Sequence, residues 1–494
     1  MGYGNTIKIN FRGGIISPGD LYNILVAATS VGITSVRFGL RQQLLLTVHP
    51  YSQDLLLSEL TKLGINYESN SNDYPNIISS YPAEEIFITN SWLSEGVYKD
   101  IFDDINYEPK LKINISDSNQ SFTPILTGNI NWVASSTSQH FWHLFIRFPK
   151  TNMIYEWSKM VYTNDVPKLS RDIEALIFQF SELFYDNRNA RGEQLFAMIK
   201  DNMYITRHAD TPAALPAFNL PYYEGLNRYT NKFWLGVYRR DEQYSVDFLK
   251  ALSMLCLETK IGQLCSTPWK SIIVKGIEEK EKPRWNQLLE KFQINMRHAA
   301  NELNFQVEDN CPAGLELKNY LVKQLNDEDT RTFGLCIGIK TKKKTEIFSS
   351  ILVKRKPMIS IFGLEFFHVY DILCAHDFNP NERTGFVFSK NNPKFILGEQ
   401  LRRSIIAFYQ NRSNHQLAME TRKTAVQSEE KMTDTEYVYQ CPHCLSIYDE
   451  LLGEPANQIP AGTTFAELPL SFNCLLCESD KSDFDKVAKT TLGL

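Results

Sequence analysis

Two cysteine pairs, Cys441-Pro442-His443-Cys444 and Cys474-Leu475-Leu476-Cys477, carry the clearest chemistry in this 494-residue chain. A CxxC turn aims two sulfurs at one point, and a second turn completes a tetrahedron of thiolates suited to iron or zinc. Residues 445 through 473 separate the pairs, a gap longer than the roughly 15 to 20 residues of a zinc ribbon.

Other constellations are weaker. His376-Asp377 precedes Phe378-Asn379-Pro380-Asn381, a turn sequence that gives the pair a structural reading. Lys340, Lys342, Lys343 and Lys344, broken only by Thr341, read as a solvated hairpin tip. Met1-Gly2 with Thr6 matches a myristoylation pattern short enough to recur by chance. No P-loop, dinucleotide fingerprint or Gly-x-Ser-x-Gly elbow is present.

The elements that must position these groups follow from periodicity. Thr6 to Phe11 alternates as a strand, Gly13-Gly14 turns, and Ser17-Pro18-Gly19-Asp20 opens a helix with Leu21, Ile24, Leu25 and Ala28 on one face. Val36 to Val48 reads as strand and Ser52 to Leu63 as a second helix. The same grammar returns in Phe233 to Tyr238 as a strand, a helix begun by Tyr244-Ser245 and running through Leu255, Ser271 to Gly276 as a strand and Trp285 to Phe292 as a helix, so the chain reads as an internal duplication. Lys110 to Ile115 and Phe141 to Phe148 read as strands between the copies, Asp172 to Phe184 as a helix, and Glu399 to Tyr409 as the last helix. Asn411 to Thr435 turns polar and reads as a linker. The order of elements predicts an α+β architecture, with a first half over 1–230, a second over 231–410, a linker over 411–435 and a terminal domain over 436–494.

Composition narrows the classes. Hydrophobic residues at 43% and charged residues at 22% describe a folded protein long enough for more than one core. A net charge of -5 argues against a nucleic-acid partner, and no run of about 18 apolar residues argues against membrane insertion. Cys256, Cys265, Cys311, Cys336 and Cys374 stand singly, the pattern of a reducing compartment, and the expected location is cytoplasmic.

The C-terminal segment resembles rubredoxin. Tyr437-Val438-Tyr439 leads into the first pair, and Tyr448-Asp449, Gly453-Glu454-Pro455, Ile459-Pro460-Ala461-Gly462-Thr463, Phe465, Leu468-Pro469, Phe472 and Phe484 fall where that family places equivalent groups. The resemblance implies one iron held by Cys441, Cys444, Cys474 and Cys477, cycling between ferric and ferrous states. Leu445 and Glu478 stand where the family carries glycine, and Leu475 replaces a proline. Glycine there accepts positive φ, so its loss should strain the turns or shift the potential.

The body resembles the siroheme-dependent nitrite and sulfite reductases, with their duplicated ferredoxin-like half domains. Lys8 through Ile16, Val36-Arg37-Phe38-Gly39-Leu40-Arg41-Gln42, Pro109-Lys110-Leu111-Lys112 and Asn129 through Ala134 carry the likeness in the first half. Phe233-Trp234-Leu235-Gly236 and Thr267-Pro268-Trp269-Lys270 carry it in the second. In that family basic side chains hold siroheme carboxylates and an anionic substrate, through guanidinium forks and compact lysine charge. The resemblance therefore implies Lys8, Arg37, Arg41, Lys110 and Lys112 as residues for siroheme or another anion, with Lys110 and Lys112 on one face of a strand and Leu111 opposite. The CxxxxxC and CxxxC pairs of the family's four-iron four-sulfur cluster are missing, and Cys311 is the nearest echo, so that cluster is not expected.

Two functions follow. The favoured one is an electron carrier fused to a reductase-like body, serving redox protein partners of nitrogen or sulfur metabolism. The runner-up is an enzyme, an oxidoreductase in which the body binds siroheme and is fed by the fused iron site. From Glu436 onward nine acidic residues face three lysines, a charge of about -6 that steers toward basic partners.

Overall fold

The computed structural model describes residues 4–88, 91–342, 346–361, 364–430, 437–454, 457 and 459–492. Two compact units emerge, Met1–Tyr409 and Gln410–Leu494. Lys343, Lys344, Pro455 and Glu436 lie outside the described residues, as do residues 431–435 of the polar segment.

In the first unit the duplication takes a specific form, an exchange of edge strands. The first copy builds a sheet in the order Tyr244–Ser245, Ser35–Phe38, Gln43–Val48, Asn5–Asn10, Glu68–Ser69. The second copy's sheet runs Gly225–Tyr229, Lys232–Val237, Ile272–Ile277, Leu264–Ser266, Ile15–Ile16. Each copy thus lends the other its short second strand, with Tyr244 opposite Val36 and Leu264 opposite Ile16. Each lent strand runs straight into a helix, and the same residue type starts both. Ser17 caps Pro18–Ser30 by accepting from the Asp20 amide, and Ser245 caps Val246–Glu258 by accepting from the Phe248 amide. The two helices pack together, and Leu21, Leu25, Leu249 and Leu252 join Ile7, Ile9, Leu235 and Val237 in one core.

Each half domain is followed by a second sheet, and these sheets repeat as well. Ile78–Ser79, Ile113–Ser116 and Ile130–Ala134 pair in parallel before Phe141–Ile146 turns antiparallel. Phe305–Val307, Ile337–Lys340 and Ile351–Ile361 do the same before Leu364–Ala375. The short strands Ile113–Ser116 and Ile130–Ala134 are buried throughout, polar Asn114, Ser116 and Asn131 included, as parallel strands covered on both faces are.

Three local expectations change. Lys110 and Lys112 are not on a strand, because the strand begins at Ile113. The Glu174 carboxylate accepts from the amides of Lys110 and Leu111 at 2.8 and 2.7 Å, and Asn129 Oδ1 accepts from that of Lys112, which takes this backbone out of any ladder. The helix expected from Asp172 starts at Val166, with Pro167 in its first turn, and a short helix Ser181–Phe184 follows. The last helix spans Lys394–Glu430 and so enters the segment read as linker. Residues 411–430 hold neither glycine nor proline and are rich in Gln, Ala, Leu, Met, Glu and Arg, which favour helix despite their polarity.

The second unit centres on a three-stranded sheet, with Tyr437–Gln440 between Ile447–Tyr448 and Asp485–Ala488. Its small core is aromatic. Tyr439 stacks on Phe465 with centroids 3.9 Å apart, and Tyr448, Phe472 and Phe484 close around Phe465. Among the described residues no helix is long and apolar enough to cross a membrane.

Candidate metal centre and basic cavity

The two CxxC segments fold into near copies of one turn. The Cys441 amide donates to the Ser446 carbonyl and the Leu445 amide to the Cys441 carbonyl, both at 2.9 Å. The Cys474 amide donates to the Ser479 carbonyl and the Glu478 amide to the Cys474 carbonyl, both at 2.8 Å. Closing each turn requires a left-handed residue after its second cysteine, and Leu445 and Glu478 take φ of 62° and 60°. A side chain in that conformation costs on the order of 1 kcal/mol. The turns therefore keep the shape that glycine would make easy.

All four sulfurs converge, every pair within 4.8 Å. Cys441 Sγ lies 3.5 Å from Cys477 Sγ, and Cys444 Sγ lies 3.3 Å from Cys474 Sγ. A tetrahedral site with metal–sulfur bonds of about 2.3 Å has edges of roughly 3.8 Å, so the residues fit one tetrahedral ion. One cysteine of each pair is buried, Cys441 and Cys474, while Cys444 is half-buried and Cys477 exposed. Burial opposes ionisation of Cys474, but the Ser446 hydroxyl and the amides of Leu476 and Cys477 outweigh it and hold the thiol down to about 6. Cys441 is lowered as well, toward the thiolate form that binds metal, whereas Cys477, despite its hydrogen bonds from Ser479, is pushed up to about 11 by burial and by the neighbouring Cys441 and Cys444. The other five cysteines are buried apart from these four. Burial pushes the thiols of Cys256, Cys265 and Cys374 up to about 12, as expected of small core residues.

The basic set in the first unit divides. Lys8 and Arg37 stand on one sheet face on either side of Leu45, which pairs with both. The Lys8 ammonium donates to the Ser71 carbonyl and to Asn72 Oδ1 and lines a groove of its own. Lys110 and Lys112 line a different cavity of roughly 830 Å³, together with Arg147, Lys150, Lys340 and Glu346. Arg41 meets Lys112 only in a small inner space of about 50 Å³ beside Glu346. The five residues do not gather in one cleft, because the sheet face carrying Lys8 and Arg37 and the loop carrying Lys110 and Lys112 border different spaces.

Arg41 is largely engaged by the protein itself. Its Nη2 donates to the carbonyls of Asn76 at 2.6 Å and Ile113 at 3.1 Å, and burial lowers its pKa to about 9. Burial, reinforced by Arg41, likewise takes Lys112 down to about 8. The carboxylate facing this charge is Glu346, 2.9 Å from Arg147 and 2.5 Å from Arg383. Burial pushes the Glu346 carboxyl up, but Arg147, Arg383 and Lys112 outweigh it and hold it below its usual range. The sequence reading missed Arg147, Arg383 and Glu346, which are far apart in the chain. Arg147 alone left a trace, as a charge inside the apolar run Phe141 to Phe148.

Comparison with known proteins separates the units. Residues 438–484 match the rubredoxin family. Probable Rubredoxin-2 of Methanocaldococcus jannaschii is 47% identical over 49 residues, 10% of this chain and 87% of that protein. Rubredoxin-2 of Chlorobaculum tepidum is 41% identical over 49 residues, 10% of this chain and 94% of that protein. High molecular weight rubredoxin of Moorella thermoacetica is 39% identical over 49 residues, 10% of this chain and only 21% of that protein. The fold as a whole is similar to the structure of Mycobacterium tuberculosis NirA protein, with a TM-score of 0.64 and 14% identity over 82% of this chain and 81% of that one. The body therefore has a NirA-like fold, and the four clustered cysteines constitute a site for one iron.

Proposed function

The C-terminal segment 438–484 belongs to the rubredoxin family, and from that premise we propose that this protein carries single electrons through Cys441, Cys444, Cys474 and Cys477, while its reductase-like body provides docking for a redox partner in nitrogen or sulfur metabolism. The observation that carries the reading is the convergence of four sulfurs on two matched turns. Bound iron supplies a one-electron ferric/ferrous couple with no change of ligand. The chain keeps the ligands still: hydrogen bonds close both turns, and the aromatic core around Phe465 supports the sheet that bears the first of them. Cys444 and Cys477 reach toward solvent and give the electron its way out.

The test is metal analysis and absorption spectroscopy of native full-length protein. One iron per chain with ferric tetrathiolate charge-transfer bands supports the carrier, and zinc in place of iron in native material rejects it. The enzyme reading draws on the 830 Å³ cavity lined by Lys110, Lys112, Arg147, Lys150 and Lys340, whose cations suit a polycarboxylate such as siroheme. Glu346, already paired with two of the neighbouring arginines, weighs against it. Soret-type absorption that disappears on replacing both Lys110 and Lys112 by alanine would establish that reading, and native protein without such absorption rejects it.

A further inference from the structure

Each CxxC turn ends in a serine at the same place, two residues after its second cysteine: Cys444-Leu445-Ser446 and Cys477-Glu478-Ser479. Ser446 Oγ lies 3.2 Å from Cys444 Sγ and 2.9 Å from Cys474 Sγ, so this hydroxyl stands between sulfurs of opposite turns. Ser479 Oγ lies 3.0 Å from Cys477 Sγ. Between them the two hydroxyls touch three of the four sulfurs, those of Cys444, Cys474 and Cys477. A metal-bound thiolate carries no proton and can only accept, so in the loaded site each hydroxyl must be the donor.

We propose that Ser446 and Ser479 set the reduction potential of the iron site, each donating a hydroxyl proton to the thiolates and raising the potential above that of the same site without them. The reason is charge. Four thiolates around a ferric ion leave a net charge of -1, and reduction adds one electron to make it -2. Donors aimed at sulfur stabilise the more negative state and favour reduction, and hydrogen bonds to ligating sulfur tune such sites generally. The two serines act on different sulfurs, Ser446 on Cys444 and Cys474 and Ser479 on Cys477, so their effects should accumulate. They are positioning and tuning residues, not ligands. The proposal rests on the electron-carrier reading and adds to it the two residues that set its driving force.

Redox titration of the full-length protein, followed by visible absorption, tests it. Ser446→Val and Ser479→Val should each shift the midpoint to lower potential, and the double variant should shift it by about the sum of the two. Thr is isosteric with Val and keeps the hydroxyl, so Ser446→Thr and Ser479→Thr should restore most of the wild-type potential. Iron–sulfur stretching frequencies from resonance Raman should rise in the Val variants and not in the Thr variants. Equal potentials for matched Thr and Val variants, both retaining iron, would overturn the proposal while leaving the carrier intact. Native protein without iron would overturn the carrier reading itself, and iron content separates the two failures.

Discussion

The cysteine site and the basic cavity are two answers to one problem, holding like charges close together. In the C-terminal unit four sulfurs are brought together by two short turns, each closed by its own backbone hydrogen bonds. In the body Arg41, Lys112, Arg147 and Arg383 come from segments up to 342 positions apart, and the Glu346 carboxylate offsets their repulsion. The first solution is local and suits an ion as its counter-charge. The second is non-local and supplies its own counter-charge.

That contrast can be broken most severely at the ligands. Cys441→Ala or Cys474→Ala should abolish iron binding, read as loss of the thiolate-to-iron absorption, while far-UV circular dichroism of the much larger body stays near that of wild type. A smaller effect is expected in the cavity, where Glu346→Gln leaves Arg147 and Arg383 facing each other without their carboxylate. The cost should be on the order of 3 kcal/mol in urea denaturation, reduced because Glu346 is partly solvated and partly recovered by added sulfate. No loss of stability and no sulfate effect would mean that the counter-charge is dispensable.

The turns offer a sharper and smaller test. Leu445→Gly and Glu478→Gly remove the left-handed penalty and should each stabilise the iron-free unit by a few tenths to about 1 kcal/mol, the gain trimmed by glycine's unfolded-state entropy. A destabilised variant would show that the Leu445 or Glu478 side chain contributes more than its backbone strain costs. The smallest effect concerns pH. Lys112 titrates at about 8 in the folded chain against 10.5 as an ordinary lysine, so between these values the unfolded chain binds the extra proton and stability should rise with pH. Over the same interval the cavity loses positive charge, and its affinity for sulfate should fall. Both trends should weaken in Lys112→Gln, and the part of the stability trend that remains belongs to Arg41 and Lys318, which burial lowers to about 9 and about 8.

The same contrast explains what could be read in advance. Cysteine spacing encodes a site that folds within a few residues, so Cys441, Cys444, Cys474 and Cys477 were legible, as were the helix starts at Ser17 and Ser245, where a cap residue acts on the next turn. Ser446 and Ser479 were legible in principle too, since Cys-x-x-Cys-x-Ser occurs twice. Glu346 was not, because its meaning depends on Arg147 and Arg383, which only tertiary folding delivers. Alternation failed at Lys110 to Lys112 for a related reason: Glu174, sixty-odd residues away, captures the amides that a strand would have used. Equally hidden was the exchange of edge strands, since the Ile15–Ile16 and Tyr244–Ser245 segments are only two residues long.

That exchange imposes an order on synthesis. The strand Ser35–Phe38 is made early, but the strand that covers its edge, Tyr244–Ser245, leaves the ribosome some two hundred residues later. Until then the N-terminal half presents an unpaired sheet edge, the kind of surface that chaperones guard and that neighbouring nascent chains can capture. Arrested nascent chains that stop before Tyr244 should stay protease-sensitive in Asn5–Val48, and chains long enough to deliver the helix Val246–Glu258 should become resistant.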